Sequence, residues 1–420
     1  MKTLIKNAKI LTSAYEDIID GDILICDNII EKIGKNIKVE QDFKVVYANK
    51  NLIMSGFIDC HTHSPMSILK GLGEGENLEN WLYNYMFKYE ALLTKEDMYY
   101  GSKLAVLEYL KNGITTINDM YYNPCSNAKA FYEGGMRAYV QIDEDDSIKN
   151  EQVYNEMQSF SPLITATFGC HSVYGANEDR FVNAIKSAKK HNSLLSTHMA
   201  ETLTEVGNCD KENGCTPAKL LESYGFFDGK SLVYHGVYLD KQDMDILKKY
   251  NVSVCTNPAS NIKLGSGIPP VCELVGRGVN VCLGTDGSAS NNRLDMFREM
   301  YLTSCLQKAQ MKNSSVITCE QTIKMATENG AIALHNDKIG VIKVGNYADL
   351  IMINLHGINN ATNINIKSNL VYASGSEDVL MTMVNGKILY QNGKYYNGFD
   401  ENEIFEKVNK IIDRLKIKRK

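Results

Sequence analysis

The sequence predicts a (β/α)8, or TIM, barrel carrying a small β-sandwich domain assembled from both chain ends. Three observations predict it. Eight short apolar segments alternate with helix-patterned stretches between positions 55 and 345. The flanking stretches, 1–54 and 346–420, are instead rich in short strands and tight turns. Polar residues capable of chemistry collect where the apolar segments end, which is where such a barrel builds its site.

The first 54 residues read as short strands separated by turns: Thr3 to Thr12, then Asp20-Gly21 feeding a strand through Ile25, with Asn28-Ile29-Ile30 continuing the pattern. In the middle, the predicted strands are Ile53–Asp59, Thr115–Asp119, Arg137–Gln141, Leu163–Phe168, Leu194–Thr197, Ser231–Tyr234, Val252–Thr256 and Val279–Gly284. Helices are predicted between them, among others over Lys95–Asn112, Asp179–His191, Asp240–Lys249 and Leu294–Lys308. Eight such units, buried on both strand faces, close into a barrel. A doubly wound open sheet is the alternative, but no GxGxxG follows an early strand. After residue 345, Ala348–Leu355 reads as a strand and Leu380–Tyr390 as a hairpin around Asn385-Gly386. Glu403–Lys418 reads as a charged amphipathic helix with a solvated basic end.

Composition bounds the function. A chain of 420 residues, 44% hydrophobic and 23% charged, can bury a sizeable core, which excludes disorder as its main state and excludes a small stapled module. At roughly 150 residues per domain it has room for two or three. Its net charge of -5 supplies no field for nucleic acid or an anionic membrane, so the expected partner is a small molecule. The 11 cysteines are scattered and lack any CxxC pair, which reads as free, buried thiols in a reducing, cytoplasmic setting. Lys6 and Lys9 interrupt the apolar run that a signal peptide needs. No apolar run reaches 18 residues, so no membrane span is expected.

The chemistry collects at the predicted strand ends. The first strand ends Asp59-Cys60-His61-Thr62-His63, and residues two apart on an extended segment share a face. His61 and His63 can therefore meet one metal. The fourth strand ends at His171, the fifth at His198-Met199-Ala200-Glu201, the sixth at His235 and the eighth at Thr285-Asp286. Three imidazole nitrogens and one carboxylate oxygen converging on the axis suit one divalent ion, Zn2+ first and Fe2+ second. Such an ion lowers the pKa of water it holds. Glu201 is the candidate to move protons beside it. His191, His335 and His356 lie off the strand ends and read as structural.

This ordered set resembles the amidohydrolase superfamily, in its branch of aromatic deaminases and triazine hydrolases. The carrying stretches are Ser55-Gly56-Phe57-Ile58-Asp59-Cys60-His61-Thr62-His63, His198-Met199-Ala200-Glu201-Thr202, His235-Gly236, Leu283-Gly284-Thr285-Asp286-Gly287 and, near the end, Gly345-Asn346-Tyr347-Ala348-Asp349-Leu350. Within that branch the chain is similar to the 5′-methylthioadenosine/S-adenosylhomocysteine deaminases, through Met66-Ser67, Gly71, Trp81-Leu82, Glu90, Asn257 to Leu264 and Gly287 to Asn292. The resemblance implies His61, His63, His198 and Asp286 as metal ligands. It implies Glu201, His235 and Asp286 as catalytic groups, with Glu201 also binding substrate. Glu90 is implied to hold ribose hydroxyls, His171 to contact ribose or purine, and Trp81 to line the 5′ end of the pocket. The implied reaction is hydrolytic deamination at C6 of an adenosine carrying a modified 5′ position. Deamination or dechlorination of another heteroaromatic ring, such as guanine, a cytosine-like ring or a triazine, is the alternative. Barrel enzymes of this kind are expected to associate as homo-oligomers.

The chain departs from the resemblance at three places. Thr256 stands where many relatives have histidine before the Asn-Pro pair, and Cys170 where relatives often have proline. After the third strand the chain keeps Arg137 but then reads Asp143-Glu144-Asp145-Asp146. No arginine for a substrate carboxylate is evident there, and the acidic run itself reads as a solvated loop.

Overall fold

The computed structural model describes residues 2–39, 43–160 and 162–416. Eight parallel strands form one sheet in sequence order: β1 (Phe57–Thr62), β2 (Ile114–Asp119), β3 (Arg137–Ile142), β4 (Ile164–Ser172), β5 (Leu195–Met199), β6 (Ser231–His235), β7 (Ser253–Thr256) and β8 (Asn280–Leu283). Almost every position along them is buried, as expected of a sheet with packed side chains inside and helices outside. The ends of this sheet meet where the Asp286 N–H donates to the His61 carbonyl at 2.8 Å, just past β8. The arrangement is the expected (β/α)8 barrel.

Helix boundaries follow capping chemistry. Helix Lys95–Lys111 opens on a capping box between Thr94 and Asp97, and helix Lys241–Lys249 on one between Asp240 and Asp243. The predicted strand over Ile53–Asp59 is in fact two. Leu52–Ser55 belongs to the terminal sheet, and β1 starts after Gly56. A Cβ on Gly56 would lie 2.2 Å from the Thr115 side chain, so only glycine lets the chain pass this close to β2 as it changes sheets.

The terminal strands make one nine-stranded mixed sheet. Leu52–Ser55 joins the two chain ends: it lies parallel to Lys2–Leu11 on one side and antiparallel to Leu350–Ile353 on the other. The sheet has its own apolar core, including Ile5, Ile23, Ile53, Leu350 and Met383. The hairpin forms at Asn385-Gly386, both at positive φ (52° and 75°), which sets the tight turn. The final helix, Glu401–Arg414, buries Ile404, Val408 and Ile411 against the cluster that holds Trp81 and Met86. The basic end foreseen beyond it, residues 417–420, lies outside the described residues.

Arg137 joins the two layers. Its Nε and Nη2 donate to the Asp349 carboxylate at 2.6 and 3.3 Å, and the guanidinium lies 4.3 Å over the Tyr347 ring. The Asn385 N–H donates to the same carboxylate at 2.6 Å. Arg137 therefore points away from the strand ends and serves the interface between barrel and terminal sheet. Arg137→Met should cost about 3–5 kcal/mol in urea unfolding, since it strands a buried carboxylate. Replacing both partners, as Arg137→Met with Asp349→Leu, should recover much of that loss.

Candidate active site

The C-terminal ends of the barrel strands open into a cavity of about 500 Å³. Its floor carries His63, His198, His235 and Asp286, with Glu201 beside them. His61 lies beneath, fully buried and stacked on Tyr234 at a centroid distance of 3.8 Å. Two sets of side chains could each share an ion: His61, His63 and Asp286, and His61, His198 and His235. The Nε2 atoms of His61 and His63 lie 3.6 and 3.2 Å from Asp286 Oδ1. His61 and His198 rings are 4.7 Å apart between centroids.

The surrounding hydrogen bonds fix how the imidazoles point. His63 Nδ1 donates to the Met120 carbonyl at 2.5 Å, and His198 Nδ1 donates to the His171 carbonyl. His235 Nδ1 donates to Asn261 Oδ1 at 2.7 Å. Each ring so held keeps its Nε2 lone pair free, which is how metal-binding histidines are commonly oriented. Both ring nitrogens of His61 are buried without a hydrogen-bond partner among the described residues. A buried imidazole left in that state is costly unless a cation completes it. Burial, reinforced by the neighbouring imidazoles, holds His61 and His198 well below the usual histidine range, so they are neutral, as metal ligands must be. Asp286 stays well below the usual carboxylate range: burial opposes this, but the hydrogen bond and the charge of His63 outweigh it. The residues therefore fit one divalent ion of the kind zinc represents.

Backbone conformation aims the remaining groups. Ala200, His235 and Asp286 all have positive φ, at 54°, 69° and 57°. Each strand thus turns sharply at its end: the turn at Ala200 brings Glu201 to the cavity, while His235 and Asp286 stand at their own turns and are followed by Gly236 and Gly287. Glu201 is 3% exposed. Burial first, then the charges of Asp286 and Glu205, hold its carboxyl well above the usual range. Its Oε1 lies 3.5 Å from the Ser266 hydroxyl and 3.7 Å from His235 Nδ1. Ser260 Oγ donates to Asp286 Oδ2 at 2.6 Å, and the Gly287 N–H donates to Oδ1 at 2.7 Å.

The cavity wall is built by the segment after β1. Helix Leu78–Trp81, the π-helical turn Leu82–Met86 and helix Phe87–Glu90 follow one another without a break. In a plain α-helix, residues nine apart lie on roughly opposite faces. The π turn takes up about one extra residue, and both Trp81 and Glu90 reach the cavity. Trp81 is fixed by its Nε1 donating to the Leu72 carbonyl at 3.1 Å, and Glu90 accepts from the Tyr121 hydroxyl at 2.7 Å.

Every site residue expected from sequence lies in or directly under this cavity. Several others were not foreseen. Arg180, from helix Glu178–His191, lines the cavity and donates to Asp143 Oδ1 at 2.7 Å. The acidic run is thus not simply solvated. Asp143 also accepts the His171 N–H at 2.8 Å, and Asp146 caps helix Ser147–Met157, whereas Asp145 is exposed. Ser260 and Asn261 belong to a stretch singled out in the sequence, but nothing there showed that they hold Asp286 and His235.

A profile of the amidohydrolase family matches residues 52–389. A 5-methylthioadenosine/S-adenosylhomocysteine deaminase of Pyrococcus furiosus is 37% identical, over 98% of this chain and all of that protein. A 5′-deoxyadenosine deaminase of Methanosphaera stadtmanae is 36% identical, over 96% of each chain. Among solved structures, an adenosine deaminase from Xanthomonas campestris with bound zinc superposes with a TM-score of 0.94 at 26% identity, over 99% of this chain and 98% of that one.

Behind the site, Glu299 is fully buried and accepts from the Ala259 N–H at 3.0 Å and Asn291 Nδ2 at 2.8 Å. Burial lifts its carboxyl from 4.5 to about 8, although these bonds oppose the rise. The folded chain therefore holds this proton more tightly than the unfolded chain does. The resulting stability is complete below 4.5 and is lost as the pH rises through about 8. In denaturant titrations, the stability of the unsubstituted chain relative to Glu299→Gln should fall steadily across that window. A pH-independent difference would refute it.

Proposed function

The chain belongs to the amidohydrolase family, and we propose that it deaminates C6 of an adenosine carrying a small 5′ modification, releasing the inosine analogue and ammonia. The observation that carries this reading is the convergence of His61, His63, His198, Glu201, His235 and Asp286 on the floor of one cavity whose wall presents Glu90 and Trp81. The relatives whose names specify methylthioadenosine and deoxyadenosine deamination support it, as they share about a third of their residues over nearly the whole chain.

A bound divalent ion supplies a water nucleophile that is activated at neutral pH. The chain's own residues do the rest. Glu201, whose carboxyl burial lifts well above the usual range, takes a proton from the water and relays it to N1 of the purine as C6 is attacked. Asp286 accepts the second water proton and helps return it to the departing amine; Ser260 holds its other oxygen. His235, its Nδ1 committed to Asn261, faces the attacking oxygen and stabilises charge there. Glu90 accepts the ribose hydroxyls and His171 contacts the ribose or purine. Apolar side chains around Trp81, including Met66, Leu78 and Leu82, line a place for a deoxymethyl or thioether 5′ group. Arg180 is already engaged by Asp143, which favours such neutral groups over the carboxylate of a homocysteine tail.

Ammonia release should be measured over adenosine, 5′-deoxyadenosine, 5′-methylthioadenosine, S-adenosylhomocysteine, adenine and guanine. Turnover is expected for the 5′-modified nucleosides; turnover of guanine alone would overturn the reading. Glu90→Ala should lower kcat/KM for the nucleosides about 5- to 150-fold, about 1–3 kcal/mol, while sparing free adenine. Equal losses on both would exclude the ribose role. His198→Ala and Asp286→Ala should each lose metal, by elemental analysis, together with activity; a fully metallated, active variant would refute the ligand assignment.

A further inference from the structure

Glu205 lies in the first turn of helix Leu203–Asn213 and is 5% exposed. It takes no part in the mechanism above. Its two carboxylate oxygens accept two successive amides: Oε1 from the Ala200 N–H at 2.9 Å and Oε2 from the Glu201 N–H at 2.7 Å. Ala200 is held at φ 54°, a left-handed conformation that is strained for an alanine. The carbonyl of Ala200 accepts the N–H groups of Val237 and Tyr238 at 3.0 and 2.9 Å. Those residues follow His235-Gly236, which also have positive φ, at 69° and 57°. One strained turn is therefore tied on its amide side to Glu205 and on its carbonyl side to the loop that carries His235. The Thr202 hydroxyl caps the Glu205 N–H at 3.1 Å, which fixes the helix start beneath the turn. A carboxylate is the side-chain group that offers two acceptors and no donor. Burying one among neutral donors is costly, so simple packing does not account for its presence.

We propose that Glu205 is a positioning residue of the active site, which clamps Ala200 and Glu201 in the left-handed turn and so sets the direction of the Glu201 side chain and, through the Ala200 carbonyl, the loop bearing His235. The inference rests on the functional reading given above for Glu201 and His235.

The test uses the full, metal-loaded chain. Glu205→Gln keeps the size but turns an N–H2 group toward one of the two amides. Its kcat should fall about 10- to 100-fold, with KM within about threefold and the metal content unchanged. Ala200→Gly supplies the control, because glycine adopts positive φ freely. In that background Glu205→Gln should cost less than about threefold, since the turn no longer needs the clamp. An unchanged kcat in the single variant, an equal loss in the glycine background, or a loss matched by loss of metal would each overturn the proposal. If Glu205→Gln does not accumulate as folded protein, Glu205→Asp, whose carboxylate falls one methylene short, carries the same expectations. Hydrogen exchange of the segment spanning 200 and 201 gives a readout independent of substrate. It should quicken at least about tenfold in Glu205→Gln, and unchanged protection would refute the clamp. A chain that deaminates nothing would overturn the functional reading, while the exchange result would still decide for or against the clamp.

Discussion

Asp59 sits at the seam where the barrel closes, and its carboxylate accepts both the N–H and the hydroxyl of Thr285, at 2.9 and 2.5 Å. It comes from the strand that carries His61 and leads directly into His63, and Thr285 directly precedes Asp286. The bond pair therefore sets the first strand against the last at the level where the ion would sit. Burial lifts the Asp59 carboxyl to about 7, with the Thr285 and His61 bonds opposing. Such a cost is sustained only where the bonds hold something that apolar packing could not. Without this seam Asp286 has no fixed relation to His61 and His63, and neither the ion nor the proton route has a defined place.

Around that seam the molecule repeatedly uses left-handed backbone at non-glycine residues. Ala200, His235 and Asp286 each carry positive φ immediately beside a group that the chemistry needs. Strain of this kind persists only when neighbouring contacts over-determine it. Those contacts are visible as buried polar residues outside the inner ring: Glu205 beneath Ala200, Asn261 at His235, and Ser260 at Asp286, with Glu299 holding the segment that carries the last two. The polar density of the barrel mouth is thus a support structure as much as a reactive one.

Among the described residues the terminal sheet contributes no group to the cavity, yet it is bound firmly to the barrel through Arg137 and Asp349. The C-terminal helix has a more direct link. It packs on the cluster that includes Trp81, Leu82 and Met86, the segment whose π turn brings Trp81 and Glu90 to the same wall. Among the described residues, the two terminal segments therefore brace the barrel and the cavity wall without lining the site.

The repeating strand and helix pattern, the β-rich ends, and the histidines and carboxylates that terminate strands are all legible along the chain. These are local properties: apolar periodicity, caps at Thr94 and Asp240, and the Asn385-Gly386 turn act over a few residues and are legible there. The break at Gly56 was not legible, because it depends on Thr115 lying against it across the sheet. Nor were the buried role of Asp143, the pairing of Arg180, or the support given by Ser260, Asn261 and Glu205. Each is a hydrogen bond whose partner is specified by where another segment passes. Long-range position also decided that Arg137 serves the interface rather than the pocket. A side chain's type can be read along the chain, but its partner exists only once the barrel has closed.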